Sequence, residues 1–180
     1  MDYPTGQPAT PPVISTYSKY FTSVLAIQQF GVGTSLAATN PGSFIPLHPF
    51  TIPTSYLIRS FFIANATTVN GNTDIGIYGT STTGAISLLV SAGVTAQSGS
   101  LVLQIRTLGT PFLLSPGSYF LALVNTGTGQ YNNHSLTATQ SGLCGLLEGT
   151  GTALPGNISP ARSTQFDYYL AGFSRLASGY

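Results

Sequence analysis

From Ser55 onward the chain is written in short apolar runs separated by turn residues, with apolar side chains recurring at every second position. A period of two puts alternate residues on one face of a strand. Residues 56–64 predict a strand that is apolar on nearly both faces. In 74–78, Ile75 and Ile77 share one face and Asp74 and Tyr78 the other. Ile86, Leu88 and Val90 share a face in the next run. Leu101, Leu103 and Ile105 do so after that, opposite Val102, Gln104 and Arg106. Residues 119–125 read as a central strand, 135–139 as a weak one, and 165–173 as a closing strand with Phe166, Tyr168 and Leu170 on one face. Asn70-Gly71-Asn72 and the stretch ending at Gly84 read as turns. Ser115-Pro116-Gly117-Ser118 fits a type II turn, with proline presetting the first central φ and glycine taking the positive second one. Residues 141–165 read as a glycine- and proline-rich loop. Six to eight short strands with few convincing helices predict an all-β protein built as an antiparallel β-sandwich.

The first third of the chain has a different texture. Eight of the twelve prolines lie within the first 53 residues. Pro4, Pro8, Pro11 and Pro12 keep the opening dozen residues extended and poorly able to join a sheet. In 13–40, Tyr17, Tyr20, Phe21, Val24 and Leu25 fit helical spacing, yet the stretch is equally rich in β-formers, and helix and strand both stay open. Residues 44–53 are apolar but carry three prolines, which reads as an extended edge segment. The expected organisation is an extended Pro-rich N-terminal arm over 1–45 and a β-sandwich domain over 46–180. Tyr3, Val13, Ile14, Tyr17, Tyr20 and Phe21 are the arm's candidate anchors on a partner.

Charge changes the picture most. Only 5% of the residues are charged, five basic and four acidic, against about 25% in ordinary soluble domains. Mass scaling gives a compact monomer of this size roughly 8,000 Å² of surface, so polar cover must come from the 44 serines and threonines, from amides and from backbone. A neutral, hydroxyl- and tyrosine-rich surface resembles the charge-depleted centre of protein–protein interfaces, and a homo-oligomer, a trimer, is expected. Five scattered cations do not make the basic face that phosphate neutralisation needs, so no nucleic-acid partner is expected. Apolar runs as short as Leu88-Leu89-Val90 give no bilayer-spanning helix. The start, Met1-Asp2-Tyr3-Pro4, has neither a basic nor an apolar stretch, and no signal peptide is expected.

The catalytic inventory is thin. Cys144 is the single cysteine, which excludes an internal disulfide and reads as a small core residue. His48 and His134 lack partners at catalytic spacing. Gly33-Thr34-Ser35-Leu36-Ala37 lacks the last glycine of a nucleophile elbow, and no phosphate-cradling glycine motif occurs. Asp2, Asp74, Glu148 and Asp167 are far apart along the chain, so a glycosidase-type pair would need folding to assemble it. Asn70, Asn72 and Asp74 begin a calcium-loop spacing, but Ile75 stands where such a loop needs glycine. Asn65, Asn133 and Asn157 head glycosylation-type triplets. Tyr78, Tyr119, Tyr131, Tyr168 and Tyr169 could form a sugar-stacking face or could equally serve core and interface packing. The expectation is no enzyme, no cofactor, no metal and no membrane partner.

Two stretches carry a resemblance. Ile63-Ala64-Asn65-Ala66 followed by Gly71-Asn72-Thr73-Asp74-Ile75-Gly76-Ile77-Tyr78 is similar to a strand–turn–strand of structural proteins of tailed bacteriophages. Ser115-Pro116-Gly117-Ser118-Tyr119-Phe120-Leu121-Ala122-Leu123 resembles a later turn and strand of the same proteins. The resemblance spans roughly residues 56–125 and carries no catalytic residues. It implies a jelly-roll-like sandwich, commonly trimeric, in fibres, baseplates and capsid decorations. The function expected from it is a non-enzymatic virion component, a capsid decoration (cement) or head/tail-attached protein among other virion proteins. The alternative is a receptor- or carbohydrate-binding module of a tail fibre, with a glycan as partner. Fold likeness alone does not fix function.

Overall fold

The nine residues Tyr56–Ala64 form an inner strand, hydrogen-bonded to a neighbour on either side. The computed structural model describes residues 20–22, 36–80, 84–164 and 167–177. In chain order the strands are β1 (Tyr20–Thr22), β2 (Leu36–Thr39), β3 (Phe44–Ile52), β4 (Tyr56–Ala64), β5 (Asn72–Gly79), β6 (Ile86–Ser91), β7 (Thr95–Ala96), β8 (Leu103–Leu114), β9 (Gly117–Asn125) and β10 (Tyr131–Ser135). A short helix, α1 (Ala138–Leu143), precedes β11 (Leu147–Thr150), β12 (Asn157–Ile158), β13 (Ala161–Arg162), β14 (Asp167–Tyr169) and β15 (Ala171–Ala177).

All pairings between these strands are antiparallel. The largest sheet has the order β12-β6-β5-β9-β3-β11-β13, with β7 also on β5; a four-stranded sheet has the order β1-β15-β4-β8; a three-stranded one has β14-β10-β2. The two smaller sheets touch at a bridge between Asn65 and Tyr131 and together face the large sheet. Between the layers lies the main core. Ile58, Phe61, Ile63 and Phe173 from one side meet Phe50, Ile52, Ile75, Ile77, Leu121 and Leu123 from the other, closed at one end by Tyr131 and Tyr169. The fold is thus an all-β sandwich. Burying a side chain such as Phe61 or Ile77 contributes about 1.5–3 kcal/mol.

The far face of the large sheet is covered as well. Ile45, Leu47, Tyr78, Ile86, Ala122 and Val124 pack there with Ile158, and Leu154 lies against them. The Tyr78 hydroxyl donates to the Pro155 carbonyl at 2.6 Å. The stretch 141–165, read from sequence as loop, therefore holds the end of α1 and three short strands, and its Leu154, Pro155 and Ile158 roof this second core. It explains why β5 and β9 are buried on both faces.

β3 is an inner strand, not the edge its prolines predicted. It pairs with β11 only over 44–47 and with β9 only over 47–52, so the two ladders overlap at Leu47 alone. Pro46 lies in the half paired to β11 and Pro49 in the half paired to β9. Each proline thus has one unpaired side, and the rule that keeps proline at open edges is met half by half.

The expected turn at 115–118 is also corrected. β8 ends in the four-stranded sheet and β9 begins in the large one, so the segment crosses between facing sheets and joins no hairpin. Gly117 is not among the positive-φ glycines. Sheets stack about 10 Å apart, and spanning that gap needs extended chain, which the Tyr119 hydroxyl closes by donating to the Ser115 carbonyl at 2.8 Å. β4 and β5, the strands of the first resemblance, likewise lie in different sheets.

Of the expected arm, residues 1–19 and 23–35 lie outside the described residues. The described parts belong to the sheets. β1 pairs with β15, β2 pairs with β10, and Ile45 is fully buried. Residues 36–39 and 44–45 are therefore part of the sheets, because β2 and the start of β3 are hydrogen-bonded there and Ile45 is buried.

Candidate interaction surface

β8 turns a charged side chain inward in its first half, while Leu108, Phe112 and Leu114 along the same side fill the main core. Arg106, Leu108 and Leu114 point inward, while Leu103, Ile105 and Leu113 point out and are 49%, 53% and 57% exposed. The Arg106 side chain helps to set this orientation. One of its terminal nitrogens donates to the Thr73 carbonyl of β5; the other donates to the Thr95 carbonyl of β7 at 3.1 Å. A guanidinium on those carbonyls satisfies acceptors that an apolar side chain would leave bare. Burial pulls the Arg106 pKa below the usual arginine value, while Tyr131 and Asp74 act in the opposite direction. A one-residue slip would bury Ile105 but expel Arg106 together with Leu108 and Leu114, so these bonds and the core contacts together leave Leu103, Ile105 and Leu113 outside.

Register extends that surface onto β4. Leu57 lies opposite Leu113, Phe62 opposite Ile105 and Ala64 opposite Leu103, and directly opposed residues share a face. Phe62 is buried, and Leu57 and Ala64 are half-buried. Beside them, Leu101 and Val102 are exposed at the turn into β8. The charged side chain on this part of β4 is Arg59, exposed where the β4–β8 ladder shifts register.

Behind the surface, one end of the sandwich is locked by amides. Asn65 donates to the carbonyls of Ser98 and Gly99 at 2.7 and 3.0 Å and to Gln104 Oε1 at 3.2 Å. Gln97 donates to Asn65 Oδ1 and to the Gln130 carbonyl and accepts from the Asn70 N–H. Asn125 donates to the Tyr131 hydroxyl at 2.8 Å, and that hydroxyl also bonds Thr73. Gly71, at φ +85°, lets the chain turn within this cluster. The sequence signal for it is the density of Asn and Gln around 65–72, 97–104 and 125–130, of which sequence reasoning read 70–72 as a turn and placed Gln104 and Asn125 in strands.

This packing decides several candidates. Asn65 and Asn133 are fully buried and closed to a glycan, while Asn157 is exposed on β12. Tyr78, Tyr131, Tyr168 and Tyr169 are buried and Tyr119 is half-buried against Phe50. They form core and not a sugar-stacking platform. Asp74 accepts from Ser91 Oγ at 2.7 Å and from the Ile75 N–H, turned into the fold; Asn72 and Asp74 are spread along β5, where residues two apart stand ~6.6 Å from each other. Glu148, buried on β11, accepts from the hydroxyls of Ser163 and Thr164 and from the Thr164 N–H. β9 and β3 lie between β5 and β11, which sets Asp74 and Glu148 ~14 Å apart, beyond the span of a glycosidase pair.

His48 is 2% exposed on the inner side of β3, edge-on to Tyr168 at 4.3 Å between ring centroids. Neither of its ring nitrogens has a hydrogen-bond partner among the described residues. Burial lowers its pKa from 6.5 to about 3. His134 lies on β10, opposite Leu36 and Tyr168 in register. Cys144 caps the C-terminus of α1 against Leu136, Leu146 and Tyr168, and burial raises its pKa. Arg162 lines an open cleft of about 500 Å³ with Thr139, Leu143, Leu146 and Leu147. Of the arm's candidate anchors, Tyr3, Val13, Ile14 and Tyr17 lie outside the described residues; Tyr20 and Phe21 are in β1, with Phe21 opposite Phe173. Among the described residues no group of acidic, histidine or cysteine side chains is placed to hold a metal, and no helix is long and apolar enough to cross a membrane. No family model, no curated protein and no solved structure matches the chain.

Proposed function

We propose that this chain is a non-enzymatic structural component of a phage virion, a rigid block built to be packed among other protein surfaces. Its simplest place is a capsid decoration or another head- or tail-attached role, with a jelly-roll-like sandwich and a Pro-rich strap as the finer reading. The observation that supports it is the near absence of charge outside the core. Asp74, Arg106 and Glu148 are buried, which leaves at most six charged side chains for 9818 Å² of surface. Such a surface resists aggregation poorly in isolation and suits burial between subunits. The buried tyrosines remove the feature that favoured a glycan-binding module.

The test is made on purified particles that carry this chain. Quantitative mass spectrometry gives its copy number, and a low-resolution image of antibody-labelled particles gives its place. Hundreds of copies over the head support a decoration, and a few at the tail tip support a fibre. Absence of the chain from purified particles overturns the reading.

A further inference from the structure

We infer that the cleft between α1 and β13 captures the free C-terminus of a neighbouring polypeptide whose last residue is apolar. The inference rests on the structural-component reading and names what fastens the block to a neighbour. Three observations carry it. First, the cleft joins one cation to an apolar floor. It measures about 500 Å³, within the range of about 300–1,000 Å³ usual for small-ligand sites. Leu143, Leu146 and Leu147 line it, and Arg162 and Thr139 supply its polar groups. Leu143 is 69% exposed.

Second, Arg162 is seated, and among the described residues no carboxylate pairs with it. It stands opposite Leu147 in register and so shares its face. One terminal nitrogen donates to the Ala138 carbonyl at 3.4 Å, which holds the guanidinium against α1. A methyl group at Gly142 would meet that nitrogen at 2.7 Å and the guanidinium carbon at 3.4 Å. Glycine weakens a helix, and here it makes room for the cation. Asp74 accepts from Ser91, Glu148 from Ser163 and Thr164, and Asp167 from Ser135. The remaining donors of Arg162 suit a carboxylate, which a guanidinium can hold by two parallel bonds.

Third, the make-up of the cleft selects the kind of carboxylate. An aspartate or glutamate side chain would bring its polar main chain against the leucines. A C-terminal residue carries its carboxylate and its apolar side chain on the same carbon, so a single residue meets Arg162 and the leucines together. The cleft is open, so the chain leading to that residue can pass out to solvent. Capture of a terminal carboxylate is a recurring mode of peptide recognition.

The exposed setting limits the strength. An ion pair open to water adds little by itself, and one apolar residue covers only the leucine floor. The dissociation constant is expected in the millimolar range. Such a contact suits an assembly in which many copies act together.

The test is an amide-resolved NMR titration of the full-length chain with N-acetylated glycyl-glycyl-leucine up to about 10 mM, a span that brackets such affinities. The expected result is saturable shifts confined to α1, β13 and the start of β11. The same tripeptide with an amidated C-terminus should bind about tenfold more weakly, and Arg162→Gln should weaken the free acid by a similar factor. Gly142→Ala should also weaken it by displacing the guanidinium, while melting stays the same or rises, because alanine favours the helix. If Arg162→Gln melts early, Leu143→Ser decides, since that exposed side chain can change without disturbing the core; it should weaken binding severalfold. Absence of saturable shifts overturns the inference, as does equal binding of acid and amide. Binding of 4-methylpentanoate as tight as that of the tripeptide also overturns it, because the cleft then takes free carboxylic acids and not chain ends. A chain abundant in particles that binds no tripeptide defeats this inference and leaves the structural reading standing. A chain that binds it but is absent from particles does the reverse.

Discussion

Arg106 donates from the edge of one sheet to the main-chain carbonyl of Thr73 in the facing sheet, and so closes one corner of the sandwich. Replacing it with methionine keeps much of the aliphatic stem but strips the donors from Thr73 and Thr95. Arg106→Met should cost about 1.5–3 kcal/mol, the range for hydrogen bonds to charged groups, and Arg106→Lys should recover part of it. Urea midpoints at constant slope measure both. An unchanged midpoint for Arg106→Met would remove Arg106 as the device that sets β8.

His48 makes stability depend on pH. Its folded pKa, about 3, lies below the unfolded value of 6.5, so between these values the unfolded chain holds the extra proton. Stability therefore falls as pH drops from 6.5 toward 3, by up to ~1.4 kcal/mol per pH unit. The titratable rings beside it are Tyr168 and Tyr169, on β14. His48→Leu should flatten the dependence and leave stability at pH 7 equal or higher, because two buried nitrogens without partners among the described residues are removed from the interior. Parallel urea titrations of parent and variant at pH 7 and pH 4 isolate the histidine from the carboxylates. Equal slopes in the two proteins would contradict the burial of His48.

Two glycines should respond differently. Gly71 has φ +85°, and a methyl group there would meet Gly127 main chain at 2.5 Å and Asn125 Oδ1 at 2.7 Å. Gly71→Ala is expected to cost about 2–3 kcal/mol through strain and contact. At Gly117 the added carbon meets the far end of the Tyr119 ring at 3.0 Å, which can move, and the loss should stay near ~1 kcal/mol or below. Thermal melts rank the two. A larger loss at Gly117 would restore the tight turn that the sequence suggested.

Truncation separates strap from sandwich. Removing residues 1–19 stops short of β1 and should preserve a cooperative melt. Removing 1–45 takes β2 from β10 and Ile45 from the second core, and the cooperative melt should be lost. Calorimetry of the two truncated chains checks this. A cooperative transition after removal of 1–45 would put the domain boundary back at residue 45.

Much of the fold was legible wherever a strand is buried on both sides. β9 is a nearly continuous apolar run and is an inner strand, and β5, where Ile75 and Ile77 alternate with Gly76 and Tyr78, lies beside it, buried on both faces. β8 was not legible in the same way. Alternation separated Ile105 from Arg106 correctly, but it cannot say which set points inward. The tie is broken by the carbonyls of Thr73, Gly93 and Thr95, which lie on other segments. α1 was missed although Thr137 and Gln140 form a reciprocal capping box; six residues give too little helical periodicity to see. The amide cluster joins Asn65 to Gln97 and Asn70 to Asn125, partners that only the finished fold brings together.

The half-and-half pairing of β3 has a consequence for motion. Because β11 and β9 meet along it only at Leu47, β11 with β13 can detach without breaking a single bond of the β9 ladder. Local opening follows such boundaries. Pro46 has no amide and the Phe44 amide donates to the Pro41 carbonyl, so the Ile45 amide should exchange with solvent deuterium faster than those of the 48–52 side, and the middle of a continuous strand marks the border between two units of unfolding.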